Sequence, residues 1–306
     1  MKFEWSPSLG PFNGAFVFMS ASVPKMDRAL RFLDGPLERT LMLRIIDRRV
    51  DDAVQSLLAH TLNAGGRIVH GGQPKILTTI THQASHWKVA KGIEPPVRIY
   101  QSEYFKEFDS PPGRDRLEMS GIGKIHWVSA DLTKVAKDLE ISDAWIQNWL
   151  ARQTGPGAEP EKSRALLAMR LVMLLESQPK AAFCIGGMEG IEAEAELFLE
   201  LAKSGRLKAP ARVNVIASTF GASAKLEGEG IEIVDRTPPA PVQEKHTLMK
   251  FLVAPHEADA WGSRASENIP SPSEETSRRD LERRVSYDGI LRASLKGIAQ
   301  AADKMG

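Results

Sequence analysis

The segment Arg164–Phe198, RALLAMRLVMLLESQPKAAFCIGGMEGIEAEAELF, decides the fold. Ala181–Ile185 is a short apolar run, long enough for a buried strand and too short for a helix. Gly186 and Gly187 end it and allow a turn that a β-carbon would obstruct. The acidic, alanine-rich stretch Ile191–Leu201 has the composition of a helix, with Glu192, Glu194 and Glu196 near its start. Ahead of the strand, Ala165–Glu176 reads as a helix carrying Arg170 among Leu, Met and Val. The unit is therefore helix, strand, glycine turn, helix. A glycine turn of this kind sets backbone N–H groups beside the positive end of a helix dipole, where a phosphate is welcome. A charge within an apolar helix calls for a polar partner; for Arg170 the expected partner is a ligand.

Working outward, the same arrangement recurs. Arg67–His70 reads as a strand, Gly71–Gly72 follow, and Pro74 suits the first turn of a helix running through Thr78–Trp87. Before it, Ile46–Leu62 has the clearest helical period in the chain, closed by Gly65 and Gly66. Further strands are expected at Ala15–Ser20, Val97–Tyr100, Lys124–Val128 and Arg212–Ser218, with an edge strand at Ile231–Val234. Met26–Leu33 and Asp143–Gln153 read as helices, Ser129–Asp131 opens another, and Glu103–Arg116 reads as a surface loop. This alternation predicts an α/β fold, a Rossmann-like doubly wound and mainly parallel sheet with helices on both faces. Ligands of such sheets sit beyond the carboxyl ends of the strands, where both GG turns would face one cleft. Ser20 and Ser22, just after the first strand, are candidates for helix caps or ligand contacts, and His70 stands beside Gly71.

From Arg236 the character changes. Thr237–Val242 is proline-rich, Ala254–Arg279 is polar, and Leu281–Met305 regains a helical pattern. The division expected is a nucleotide-binding unit over 1–235 and a C-terminal extension over 236–306, whose helix covers the core or joins subunits.

The totals exclude several classes. The 306 residues are 42% apolar and 26% charged, with a net charge of +1, which counts against a dedicated nucleic-acid binder. No apolar run approaches the roughly 20 residues that cross a bilayer, and Met1–Pro11 lacks the pattern of a secretory signal. The single cysteine, Cys184, excludes an intrachain disulfide and fits a reducing, cytoplasmic setting. His82 and His86 stand one helical turn apart with no third ligand in view, so no metal is expected. Gly121–Lys124 lacks the spacing of a Walker loop, the full dinucleotide fingerprint is missing, and no cofactor is expected.

VFMSASVP (Val17–Pro24), GGRIVHGGQP (Gly65–Pro74), VRIYQSEYF (Val97–Phe105), AMRLVML (Ala168–Leu174) and AFCIGGMEGIEAEAELF (Ala182–Phe198) together resemble the SLOG superfamily, which joins the Smf/DprA proteins with the Lonely Guy hydrolases. The likeness is strongest to the bacterial SLOG cluster 3 group. The resemblance implies a Rossmann-like domain for nucleotides or nucleotide-derived molecules. Lonely Guy enzymes cleave the N-glycosidic bond of a nucleoside monophosphate with a PGGxGTxxE motif and an arginine on the preceding helix. Arg170 stands where that arginine falls, Gly186–Gly187 match the GG, and Gly190 with Glu194 match the later glycine and glutamate across one extra residue. Cys184–Ile185 stand in place of the proline and Ile191 in place of the threonine. Other SLOG domains sense nucleotide signals, including cyclic ADP-ribose isomers, in bacterial conflict systems.

The implied function is binding of such a signal as a sensor in bacterial defence, at Ser20, Ser22, His70, Gly71, Gly72, Arg170, Gly186, Gly187, Gly190 and Glu194. A separately encoded effector is the implied protein partner, and relatives imply a homo-oligomer. One alternative is N-glycosidic hydrolysis with Arg170 and Glu194 as the catalytic pair; another is DprA-like binding of single-stranded DNA, against which the neutral charge counts.

Overall fold

The computed structural model describes residues 3–24, 36–106, 117–118, 120–153, 159–187, 189–219, 221–235 and 287–303. The helix expected over Met26–Leu33, most of the loop before Arg116 and the segments Thr237–Val242 and Ala254–Arg279 lie outside them.

Nine strands are described: β1 (Phe3–Trp5), β2 (Phe16–Ser22), β3 (Arg67–His70), β4 (Trp87–Val89), β5 (Val97–Ser102), β6 (Gly123–Val128), β7 (Ala181–Gly186), β8 (Val213–Ile216) and β9 (Ile231–Ile233). The helices are α1 (Pro36–Asn63), α2 (Pro74–Ala84), α3 (Leu132–Asp138), α4 (Asp143–Gln153), α5 (Pro160–Ser177), α6 (Glu189–Lys203) and α7 (Tyr287–Asp303). Seven strands form one sheet in the order β6-β5-β3-β2-β7-β8-β9, and every neighbouring pair is parallel. This is the Rossmann-like α/β sheet that the alternation predicts. The chain winds outward from β2 through β3, β5 and β6, then returns to lay β7 on the other side of β2. The strand order reverses there, at the place where doubly wound sheets open a crevice.

The faces follow from strand alternation. Val17, Met19, Phe183 and Ile185 join one core with Val50, Val54, Leu57 and Leu58 of α1, Ile76 and Ile80 of α2, and Leu291, Leu295 and Ile298 of α7. Phe16, Phe18, Ala182 and Cys184 point the other way, into a second core with α3 to α6. Successive Cβ atoms of a strand face opposite sides, so a two-residue period serves both layers.

Several boundaries differ from the sequence reading, and one bears on the site: β2 runs through Ser22, so Ser20 and Ser22 belong to the strand and not to a capping loop after it. The second helix stops at Ala84, because Trp87–Val89 extends beside Phe3–Trp5 as a small parallel pair. The strand after Arg212 is shorter than expected, since Ala217–Thr219 turns into a 3-10 helix. Helix α1 begins ten residues before Ile46, at Pro36. Among the described residues no helix is long and apolar enough to cross a membrane.

Helix α7 lies against α1, so covering the core is a role it performs. Tyr287 is only 2% exposed, and burial, the leading influence, pushes its hydroxyl up to about 12. That hydroxyl lies 2.9 Å from Ser218 Oγ, whose own amide donates to Asp235. Replacing Tyr287 by phenylalanine keeps the packing and removes this bond. A loss of about 0.5–1.5 kcal/mol is expected, read as a lower urea midpoint at unchanged m-value; an unmoved midpoint would mean that the hydroxyl does not hold the helix.

Candidate functional site

Two periodicities build the centre of the site. On β2, Phe18 and Ser20 are two residues apart and share a face; on α6, Glu194 and Phe198 are four apart and share a face. The two elements meet so that Phe18 stacks on Phe198, with centroids 6.3 Å apart, and Ser20 Oγ donates to Glu194 Oε2 at 2.5 Å. Packing of the aromatic pair thereby sets the carboxylate above the sheet. From α5, Arg170 completes the group. Its Nε donates to Glu194 Oε1 at 3.1 Å and its Nη2 to the Gly190 carbonyl at 3.3 Å. The Arg170 and Glu194 side chains are 13% and 14% exposed, so the pair is largely out of water without being sealed from it. The partner of Arg170 is thus a carboxylate of the chain itself, and its Nη1 has no partner among the described residues.

Around this pair lies a cavity of about 520 Å3, within the range of small-molecule sites. The ends of the strands supply Ala21, Ser22, His70, Gln101 and Ser102; α5 supplies Leu166, Met169 and Arg170. Gly71–Pro74, leading into α2, and Gly190, Ile191 and Glu194, at the start of α6, close the remaining sides. Two helix N-termini therefore meet the same space, each carrying about half a positive charge. The charges of Arg170 and Glu194 offset each other, so the helix starts supply the net attraction for an anion while the guanidinium still has N–H donors to offer one. Two wider depressions, of about 720 and 700 Å3, open on the outer faces of α4 with α6 and around α3. Charged side chains, with pairs such as Arg152–Glu200, share their walls with Leu199 and Ile141, and no strand end or glycine turn reaches them.

A break in the sheet ladder opens the crevice. β2 stays paired with β7 as far as Ser22 and Gly186, whereas its pairing with β3 ends at Phe18 and Val69. One residue later the His70 ring takes the Met19 carbonyl, with Nδ1 at 2.8 Å. Gly72, at φ 68°, then turns the chain towards α2, and Gln101 Nε2 donates to its carbonyl at 2.7 Å. Gln73 caps α2 by accepting from the Ile76 amide.

The residues singled out in the sequence divide into two groups. Ser22, His70, Gly71, Gly72, Arg170, Gly190 and Glu194 line the cavity, and Ser20 reaches it through Glu194. Gly186 and Gly187 lie on the same rim but outside the walls. The Gly186 amide, expected to be open to a phosphate, is taken by Thr219 Oγ1 at 2.6 Å, and Ser223 Oγ donates to its carbonyl. Ala222 donates to the Gly187 carbonyl. The 3-10 turns after β8 fold over this corner and satisfy the Gly186 amide and both glycine carbonyls. Gln73, Gln101, Ser102 and Met169 also line the cavity, although none of them is among the ligand contacts expected from the sequence. Gln101–Ser102 carried a signal all the same: two polar residues directly after the apolar run Val97–Tyr100, hence at a strand's carboxyl end. Cys184 is fully buried, and desolvation, with the charge of Glu194 behind it, pushes its thiol well above the ordinary range, which makes it a poor nucleophile. Among the described residues no group of three His, Cys, Asp or Glu side chains forms a metal site.

Residues 153–237 match the model of the SLOG cluster3 family, as the sequence resemblance leads one to expect. That segment carries α5, β7, the Gly186–Gly187 corner and α6, and so both Arg170 and Glu194. No curated protein and no solved structure matches the chain.

Proposed function

We propose that this protein binds a nucleotide or nucleotide-derived signal, such as a molecule of the cyclic ADP-ribose type, in the cavity at the carboxyl ends of β2, β3 and β5. The observation that carries the reading is the convergence of two helix N-termini and the Arg170 guanidinium on one pocket. Phosphate seeks such a place, because amides and a planar cation offer several donors at once. The match of residues 153–237 to the SLOG cluster3 family supports a nucleotide-related role. As a sensor in bacterial defence, the protein would pass the bound state to a separately encoded effector, and a homo-oligomeric assembly would suit that task.

One observation favours a second reading, hydrolysis of an N-glycosidic bond. Glu194 presents a carboxylate inside the pocket, fixed by Ser20 and Arg170, as needed to stabilise an oxocarbenium-like sugar. Incubation with AMP, NAD and cyclic ADP-ribose separates the two. A sensor gains about 2.7 kcal/mol at a hundredfold excess over Kd and returns its ligand intact. An enzyme releases base or nicotinamide, and Glu194→Gln abolishes the release. Stabilisation by none of the three compounds, with no product formed, would count against both readings.

A further inference from the structure

One part of the cavity wall is apolar. Phe105 and Leu166 line it and are both partly exposed, while Met169 and Ile191, which line it too, are almost fully buried. Phe105 is the one Phe, Tyr or Trp among the described residues that line the cavity. By contrast, Phe12, Phe16, Phe18, Phe183 and Phe198 are buried in the two cores. Directly after β5, Glu103–Phe105 forms a 3-10 turn that lies against α5. Ser102 Oγ accepts from the Tyr104 amide at 3.3 Å, and the Lys106 amide donates to the Glu103 carbonyl at 3.0 Å. The Tyr104 and Phe105 rings make a T-shaped contact with centroids 5.1 Å apart, which fixes the ring further. Leu166 precedes Arg170 by four residues, so the two share a face of α5, about 6 Å apart along its axis. The apolar wall therefore begins one helical turn from the ion pair.

We propose that Phe105, with Leu166 beside it, is the platform on which the ligand lays a flat heteroaromatic ring, so that the cavity selects molecules that carry a base over phosphorylated sugars alone. The proposal rests on the nucleotide-binding reading above and adds which part of the ligand this wall holds. Apolar surface left open to water in a concavity is relieved by a ring with an apolar face, and a base of any kind has one. A sugar or a bare phosphate is polar on every side and gains little there. Arg170 does not compete for the role, because its Nε and Nη2 are committed to Glu194 and the Gly190 carbonyl.

The probes are carbocyclic AMP, whose base cannot depart, and ribose 5-phosphate, which has the phosphate and hydroxyls but no base. Calorimetry on the full chain is expected to give carbocyclic AMP an advantage of about tenfold. Phe105→Ala should bring that advantage close to one and leave ribose 5-phosphate binding as it was. Phe105→Trp keeps a larger ring at the position and should hold the advantage, which keeps the test open if the alanine variant fails to fold. In the unaltered chain, a nuclear Overhauser effect should join the adenine H2 or H8 proton to the Phe105 ring protons. Equal affinity for the two compounds, an advantage that survives Phe105→Ala, or no such Overhauser contact overturns the proposal while phosphate binding stands. Binding of neither compound overturns it and counts against the nucleotide-binding reading as well.

Discussion

Replacing Arg170 by alanine should remove phosphate binding and lower the melting temperature on the order of 5–10 °C. The reasoning starts from what is left behind. Glu194 is 14% exposed, and with the guanidinium gone its carboxylate keeps Ser20 as its one donor. A charge held in a low-dielectric place without its counterpart is strongly destabilising, about 3–5 kcal/mol when fully buried. The residual exposure of this pair lowers the expectation to about 2–4 kcal/mol, which sets the thermal shift for a chain of this size. The double variant Arg170→Ala/Glu194→Gln discriminates. With both charges removed, part of the stability should return, and binding should not. Additive losses in that cycle would show that the two side chains are not coupled, and the electrostatic account of the site would fail.

The second large effect is expected at Gly186. Its φ of 64° is a conformation in which a side chain costs roughly 1–2 kcal/mol. A β-carbon there would stand 2.5 Å from the Ser22 carbonyl oxygen and 2.9 Å from Val50 Cγ2. Backbone cannot swing aside as a lysine tip would, so overpacking adds roughly 1–3 kcal/mol. Gly186→Ala should therefore lose about 2–5 kcal/mol in chemical denaturation. Gly92 is the control: its φ is 86°, and nothing lies within 4 Å of the β-carbon position. Gly92→Ala carries the conformational cost alone. Should the two variants lose equal stability, the close approach of β2 and β7 at this rung is not what makes glycine necessary there.

The two glycine pairs show how far the sequence could be read. Each follows a short apolar run and precedes a helical composition, and both do end parallel strands on one rim of the sheet. Their local signals are alike, yet the environments differ. Gly71–Gly72 borders the cavity, while the Gly186–Gly187 corner gives its amide and carbonyls to Thr219, Ser223 and Ala222. Those partners arrive from a segment more than thirty residues downstream, and no local pattern announces where it returns. Arg170 teaches the same lesson. That an arginine among Leu, Met and Val needs a partner was legible, but the identity of the partner was not.

Periodicity is a property of neighbouring residues, so the alternation of strands and helices, their parallel arrangement and the rim on which a ligand would sit were all contained in the order of amino acids. The pairing of Ser20 with Glu194, the presence of Phe105 and Leu166 on one cavity and the place of α7 on the first core came only with the tertiary structure. Each joins groups far apart in the chain, and their meeting depends on how whole layers pack, which no short stretch encodes.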